Sequence, residues 1–476
     1  MLFSSITFLF VFLAATLILY AIAPKIYLKN IILLAFSLVF YSWGEPRLVF
    51  LMIVSVAFGY VFGLLMEKYR ENVKLRKLFM IISVIISGSF LVYYKYANFF
   101  IDNINLIPGV DIPLVNVTLP VGISFYTFQI ISYTVDVYRG TPAQRNPLDL
   151  ACYIAMFPQL IAGPIVRYVD VAAQLKDRKH TFEKTAYGIR RFAVGFAKKV
   201  LIADSFGELV SIFRASDDKS VLFFWMYVIA YMLQLYFDFS GYSDMAIGLG
   251  KIFAFDFIEN FNYPYISRSI TEFWRRWHMS LGSWFRDYLY IPLGGNRVSL
   301  GRQMFNILVV WMFTGFWHGA DWNFIIWGLY FAVLLTIEKF FLGKLLKKSK
   351  VLSHVYLLFL VAISFVIFNA PDMKTAFADI GGMFGAGGLP LVSKEAVYYL
   401  RNFAVLFVCG IIGATPIVAN TARKLFATDG ENAKGKSSVQ IAVSAVVETL
   451  FVVAVLLLVT AWLVDGSFSS FLYFRF

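Results

Sequence analysis

Residues 306–319 read NILVVWMFTGFWHG, an apolar run that ends at His318. The run from Asn306 to Trp317 is apolar enough to lie inside a membrane, which places His318 at membrane depth. A histidine there is costly unless it has a partner or a task, so it indicates a functional site. Imidazole also takes up and returns a proton near neutral pH. We therefore take His318 as the candidate catalytic base.

A structural role for His318 is the competing interpretation. In that case the imidazole hydrogen-bonds to a neighbouring helix and does no chemistry. The flanking Gly315 and Gly319 favour a functional role, because glycine lets a second backbone approach closely.

The composition of the chain is that of a membrane protein. The 476 residues are 60% hydrophobic and only 15% charged, against about 25% charged in soluble domains. The mean hydropathy is +0.72. The net charge of +13 is spread over short basic clusters between apolar spans, as the positive-inside rule predicts, and this excludes nucleic acid as a partner. The two cysteines share no metal-ligand spacing and are interpreted as small buried hydrophobes.

About twelve crossings of the membrane are predicted. They lie near residues 3–22, 30–44, 48–66, 78–99, 119–138, 187–206, 221–240, 303–319, 322–342, 352–369, 399–420 and 440–463. The segment 150–166 carries Pro158 and Pro164 and is expected to be re-entrant. Basic residues place the loops at 67–77 and 176–184 in the cytoplasm. This pattern alternates consistently if both termini lie outside.

The segment from 238 to 302 breaks the regular pattern of apolar spans and is expected to be irregular, because it is too polar to face lipid and too aromatic to be a solvated loop. It contains the run RSITEFWRRWH, residues 268–278, in which charge alternates with aromatic rings. Such alternation is typical of an interfacial amphipathic helix, and we expect the segment from 238 to 302 to lie at the cytoplasmic membrane surface, partly dipping into it. His278, which ends the run, orients substrate or assists His318 in one interpretation and has a structural or headgroup role in the other.

Three further alternatives concern the charged residues of the chain. Arg275, Arg276, Arg286 and Arg297 either bind the phosphates of a donor such as coenzyme A or bind anionic lipid headgroups. A zinc site built from the two histidines with Asp238, Asp244 or Asp287 lacks the usual ligand spacing. A transporter would also place ionisable residues in the membrane, but we find no inverted repeat.

Several motifs together resemble the membrane-bound O-acyltransferase family. They are the run at 268–278 with the following WFRDYLYIPLGGN at 284–296, FTGFWHGA at 313–320, FDFSGYSD at 237–244 and FPQLIAGPI at 157–165. The resemblance spans essentially the whole chain. It is to the bacterial branch that includes alginate O-acetyltransferases and the teichoic-acid D-alanyl transfer protein.

The resemblance implies an all-α polytopic membrane protein, a ring of about 11–13 transmembrane helices around a central tunnel. It implies one domain over residues 1–476, with a catalytic core at about 120–330. By motif, His318 is the essential catalytic residue and His278 the second active-site histidine. The candidate substrate-binding residues are Arg275, Arg276, Trp277, Asp287, Trp317 and Asp244.

The chain ends in the aromatic stretch FSSFLYFRF, residues 468–476. Members of this branch, or their small partners, similarly end in an aromatic motif with a tyrosine. We hypothesise that Tyr473 carries the acyl group as a phenyl ester, with His318 as the base that its poorly nucleophilic hydroxyl needs. The alternative is an aromatic anchor at the membrane interface.

The opening and the length are more similar to the acetylating members than to the D-alanyl members. We therefore expect acetyl transfer from acetyl-CoA, with no bound cofactor and no metal. The acceptor is an exported, alginate-like polysaccharide, reached through an extracytoplasmic transferase partner. The location is the bacterial inner membrane.

Overall fold

The computed structural model describes residues 3–44, 46–425 and 437–465. Within them the regular structure is entirely helical, as predicted. The longer helices and the short α-helices are α1 Phe8–Ile22, α2 Ile26–Ser42, α3 Leu48–Lys68, α4 Val73–Ile104, α5 Ile123–Arg139, α6 Pro147–Ala155, α7 Phe157–Leu160, α8 Tyr168–Lys176, α9 Phe182–Ala197, α10 Asp204–Ala215, α11 Val221–Ile252, α12 Ile270–Trp274, α13 Met279–Phe285, α14 Leu300–His318, α15 Trp322–Leu346, α16 Lys350–Asn369, α17 Met373–Met383, α18 Lys394–Gly413, α19 Ile417–Leu425 and α20 Ser438–Val464. Three further helical segments, of π or 3₁₀ type, span Lys198–Ala203, Pro264–Ile266 and Arg286–Tyr290.

Seven helices of the described chain are long and apolar enough to cross a membrane, namely α3, α4, α11, α15, α16, α18 and α20. Two shorter apolar helices, α1 and α2, precede them. The crossings predicted near 119–138, 187–206 and 303–319 also form helices, although they are not among the seven. The all-α polytopic architecture is confirmed, while the ring and its tunnel stay a prediction.

The segment predicted to be re-entrant is broken in the structure. Helix α6 ends at Ala155 and is followed by the four residues of α7. Residues 161–167, after α7, form no regular secondary structure. Residues 152–166 are buried throughout. Irregular backbone at membrane depth requires such burial in protein, because lipid cannot satisfy its peptide groups.

The chain divides into two compact units, the first formed by Met1–Gly188, Leu249–Ile258 and Ser283–Pro292. Glycines bring its helices α3 and α5 together: a Cβ on Gly63 would lie 2.5 Å from the Tyr133 hydroxyl. Small residues allow this close approach. Inside a bilayer, close packing of this kind drives helix association, because there is no hydrophobic driving force between the helices.

A buried arginine joins distant parts of this first unit. Arg178, in the charged segment before α9, donates to the Asn30 side chain at 2.8 Å and to the Phe253 carbonyl at 3.0 Å. The neighbouring His180 is exposed and hydrogen-bonds to the Tyr20 hydroxyl at 2.8 Å. The loop at 176–184 is therefore only partly a solvated surface, since its arginine is committed to the interior.

The second unit comprises Ile189–Gly248, Glu259–Gly282 and Leu293–Phe476. Its helices α9 and α11 cross at two glycines, where a Cβ on Gly195 would lie 2.5 Å from the Gly241 carbonyl oxygen. Beside this crossing, the Lys199 ammonium lies 2.7 Å from both the Asp204 and the Asp238 carboxylates. Lys199 is 1% exposed, so this is a buried ion cluster whose charges compensate one another.

One boundary expected from the sequence is wrong. The irregular segment was expected to start at residue 238, but α11 continues as one helix to Ile252 and carries Asp238 and Asp244 in its interior. The two carboxylates do not break the helix because each is paired and the helix is largely enclosed by protein. A polar face of a buried helix resembles an irregular segment when only hydropathy is considered.

Candidate active site

His318 is the last residue of α14. Gly319 follows in an extended conformation and ends the helix, and a Cβ there would overlap the Phe324 ring. Helix α15 begins at Trp322, whose backbone N–H is capped by the Asp321 carboxylate. The turn between the two helices thus requires glycine and fixes where the imidazole lies.

Aromatic rings surround the buried His318 imidazole. The ring centroids of Trp327 and Phe368 lie 5.1 and 5.3 Å from it, each at 84° to its plane. Trp317 is 4.9 Å away. These edge-to-face contacts hold the imidazole in an apolar environment where a proton transfer is shielded from water.

Trp317 also connects the two histidines that the sequence singled out. The centroid of the His278 ring lies 6.0 Å from that of Trp317, whose neighbour in sequence is His318. The structure therefore brings His278, Trp317 and His318 together within the second unit. Their roles in chemistry stay a prediction.

His278 lies in the turn between α12 and α13, outside the seven spanning helices, and is 2% exposed. Its φ of +45° is in the left-handed region, which a non-glycine residue adopts at a cost. Burial lowers the pKa of His278 to about 3, so the imidazole is neutral at physiological pH. Two short helices, Ile270–Trp274 within the run of alternating charge and rings and Met279–Phe285 after it, lie on either side of this turn.

Asn260 anchors the turn. Its side-chain Oδ1 lies 3.1 Å from His278 Nδ1 and accepts from the Ser280 hydroxyl at 2.8 Å, while its carbonyl accepts from the Met279 N–H at 3.0 Å. The Asn260 side chain donates to Ser243 on α11 at 3.0 Å. Sequence reasoning placed Asn260 in the irregular segment without a role, because nothing local pairs it with a histidine 18 positions away.

The predicted substrate-binding residues have different surroundings. Trp277 is buried and stacks on Phe273, with centroids 5.5 Å apart. Arg276 forms an ion pair with Glu272 at 3.0 Å, whereas Arg275 is exposed. Of the two neighbouring arginines, Arg275 has the guanidinium that is open to an incoming phosphate.

Two predicted carboxylates are occupied by ion pairs. Asp244 on α11 pairs with Arg191 at 2.7 Å and with Lys198 at 2.6 Å. Asp287 lies in the first unit, where it pairs with Arg167 and with Arg286, each at 2.7 Å. These ion pairs commit both carboxylates to protein partners. Tyr473 and the rest of the terminal aromatic motif lie outside the described residues.

Trp327 and Phe368 were missed by the sequence reasoning as residues around His318. Trp327 belongs to an apolar helix whose sequence does not show which tryptophan faces His318. Phe368 lies 50 positions further along the chain than His318. In the described part of the chain, no group of three histidine, cysteine or acidic side chains is placed to hold a metal.

The profile of the membrane-bound O-acyltransferase family matches residues 143–371, which contain all of the site just described. The chain is 42% identical to a probable alginate O-acetylase of Azotobacter vinelandii, with both chains covered over 100% of their length. The chain belongs to the membrane-bound O-acyltransferase family. It is accordingly an O-acyltransferase and a multi-pass membrane protein, so the transporter interpretation is not supported.

Two other relatives of the chain differ in the reaction that their names specify. A peptidoglycan O-acetyltransferase of Helicobacter pylori is 35% identical over 84% of each chain. A teichoic acid D-alanyltransferase of Bacillus subtilis is 34% identical, but the alignment covers only 46% of this chain and 59% of that protein. Similarity to the relatives named for acetyl transfer therefore covers much more of the chain than similarity to this D-alanyltransferase does.

Proposed function

We propose that this membrane-bound O-acyltransferase takes an acetyl group from acetyl-CoA at the cytoplasmic face and passes it outward for O-acetylation of an exported polysaccharide. Relatives named for O-acetylation of alginate and peptidoglycan align over 100% and 84% of the chain, which supports acetyl rather than D-alanyl transfer. Full-length similarity to the alginate O-acetylase favours an alginate-like polymer.

The observation that carries the proposal is the placement of His318. Its imidazole ends an apolar helix and is enclosed by the rings of Trp317, Trp327 and Phe368. A base in such surroundings removes a proton from a hydroxyl without competition from bulk water. The His278 ring packs on Trp317, the residue before His318, and is suited to orient the same reactants.

The proposed step is acyl transfer from sulfur to oxygen. His318 removes the proton of the acceptor hydroxyl, the oxygen attacks the thioester carbonyl, the carbon–sulfur bond breaks, and the CoA thiolate takes a proton. In the carrier version, Tyr473 supplies that hydroxyl and forms a phenyl ester. A second transfer, catalysed by an extracytoplasmic partner, then moves the acetyl group to a polysaccharide hydroxyl and regenerates the tyrosine.

The donor would be held by the exposed Arg275, since a guanidinium binds phosphate oxygens in a bidentate manner. Arg276 is partly exposed beside it and is already paired with Glu272. The basic loops predict that this side faces the cytoplasm and that the protein resides in the bacterial inner membrane.

The experiment uses purified full-length protein and acetyl-CoA radiolabelled in the acetyl group. It compares wild type, His318→Ala and Tyr473→Phe for release of free CoA and for label on the protein. His180→Ala is the matched control, because it removes an exposed histidine of the first unit.

We expect label on wild type and on His180→Ala, and none on the other two variants. Full CoA release by His318→Ala would overturn the assignment of the base. Release by Tyr473→Phe without label on any protein would remove the carrier and keep His318. Reaction with a D-alanyl donor and none with acetyl-CoA would overturn the acetyl assignment.

A further inference from the structure

Asn260 has a side chain whose orientation is fixed by its neighbours. The Ser280 backbone N–H, which can only donate, lies 3.2 Å from one end of the Asn260 amide. That end must therefore be the oxygen, because an NH₂ group there would place two donors against each other. The NH₂ group then faces Ser243 Oγ, which accepts at 3.0 Å.

The orientation of Asn260 determines the tautomer of His278. Asn260 Oδ1 can only accept, so His278 Nδ1, 3.1 Å away, carries the proton that it donates. The Ser280 hydroxyl is 3.5 Å from Nδ1 and makes its shorter bond, 2.8 Å, to Asn260. In a neutral imidazole with Nδ1 protonated, Nε2 is a hydrogen-bond acceptor.

His278 Nε2 is buried and makes no hydrogen bond to protein within residues 3–44, 46–425 and 437–465. Buried polar atoms are nearly always hydrogen-bonded, so this acceptor, held in a fixed tautomer, requires a donor from outside these residues. The rings of Phe239 and Trp317 pack on His278, and the uncharged Asn260 and Ser280 lie next to Nδ1.

We propose that Asn260 is a positioning residue that holds His278 with Nδ1 protonated, so that Nε2 accepts a hydrogen bond from an O–H or N–H group of the bound reactants. The proposal deepens the proposed function and rests on it for the reactants. The two histidines then have different roles: His318 takes the proton of the acceptor hydroxyl, and neutral His278 orients the reactants. Burial lowers the pKa of His278 to about 3, which agrees with a role that needs a neutral ring.

The tautomer is tested directly by ¹⁵N NMR on full-length protein in bilayers, with the histidine rings labelled. The chain has four histidines, and the signals that disappear in His278→Gln belong to His278. We expect a protonated Nδ1 and an unprotonated Nε2 in wild type. The opposite tautomer, or a tautomer unchanged in Asn260→Ala, would overturn the proposal.

Asn260→Asp keeps the shape of the side chain and provides a second variant for the case that Asn260→Ala does not fold. A carboxylate next to Nδ1 favours the imidazolium form, so we expect both ring nitrogens of His278 to become protonated at a higher pH than in wild type. Acetyl transfer should then lose activity on the acidic side, with the limb of the pH profile about one to three pH units higher than in wild type. A purely structural role would leave that limb unmoved, which would also overturn the proposal.

Asn262→Asp is the matched control, since the Asn262 side chain is exposed two positions away. It should keep both the wild-type tautomer and the wild-type pH profile. If His278→Gln transferred acetyl at the wild-type rate, the role of His278 in the proposed function would fail, while the NMR result on Asn260 would still be decided separately.

Discussion

A Cβ atom on Gly315 would lie 3.2 Å from the Cα atom of Gly328, so α14 and α15 touch backbone to backbone at these two residues. Gly315 is three positions before His318, and Gly328 follows Trp327, the tryptophan that packs on the His318 ring. The contact between two glycines therefore sets the distance between the candidate base and the aromatic wall of its pocket.

The first prediction concerns this contact. Gly315→Ala places a methyl group against the Phe324 carbonyl oxygen, forces α14 and α15 apart and displaces His318. We expect a loss of about 1–3 kcal/mol in stability, as for overpacked cores, and at least a tenfold fall in acetyl transfer. Gly301→Ala on the same helix is the control, because a Cβ there meets nothing within 4 Å. Wild-type activity in Gly315→Ala would show that the spacing is not critical.

The second prediction concerns the buried ion cluster of the second unit. Lys199→Met leaves the Asp204 and Asp238 carboxylates without their shared cation, which should cost about 3–5 kcal/mol. Lys184→Met breaks a more exposed pair with Asp256 and should cost about 1 kcal/mol or less. Thermal unfolding in detergent compares the two variants. Equal losses would contradict the burial argument.

The third prediction concerns the pH dependence of stability. The pKa of His278 is about 3 in the folded protein and 6.5 when unperturbed, so the unfolded chain binds the extra proton between these values. Stability due to this residue is complete above about pH 6.5 and falls as the pH drops toward 3. His278→Gln should therefore lose less stability than wild type between pH 7 and pH 4. The free energy of unfolding, measured at a series of pH values, tests this. An equal fall with pH in the two proteins would show that the histidine is not held neutral.

The fourth prediction separates two neighbours among the predicted substrate-binding residues. Arg275→Gln removes an exposed charge and should leave thermal stability unchanged while raising the KM for acetyl-CoA. Trp277→Ala empties a site packed by Phe273 and Phe365 and should cost about 3–5 kcal/mol. Unfolding midpoints together with initial rates at varied acetyl-CoA test both variants. An unchanged KM in Arg275→Gln would assign that residue to lipid headgroups instead.

The sequence by itself determined the helical membrane architecture and the family. It also singled out His278 and His318 as the histidines of the candidate site. These follow from local properties: apolar runs of membrane length, glycines and prolines that break them, and a motif contained in consecutive residues. The breaks at 155–167 and at His318–Gly319 could be predicted for the same reason, since a proline or glycine acts on its own stretch of backbone.

Only the tertiary structure decided which side chains surround the histidines. Asn260 contacts His278 across 18 positions, and Phe368 contacts His318 across 50, because helices distant in the chain pack side by side. The same packing pairs Asp238 with Lys199 and allows both to lie within an apolar interior. Hydropathy assigns each residue to water or to membrane, but it does not state its partner, and the partner determines whether a buried polar group is stable and what it can do.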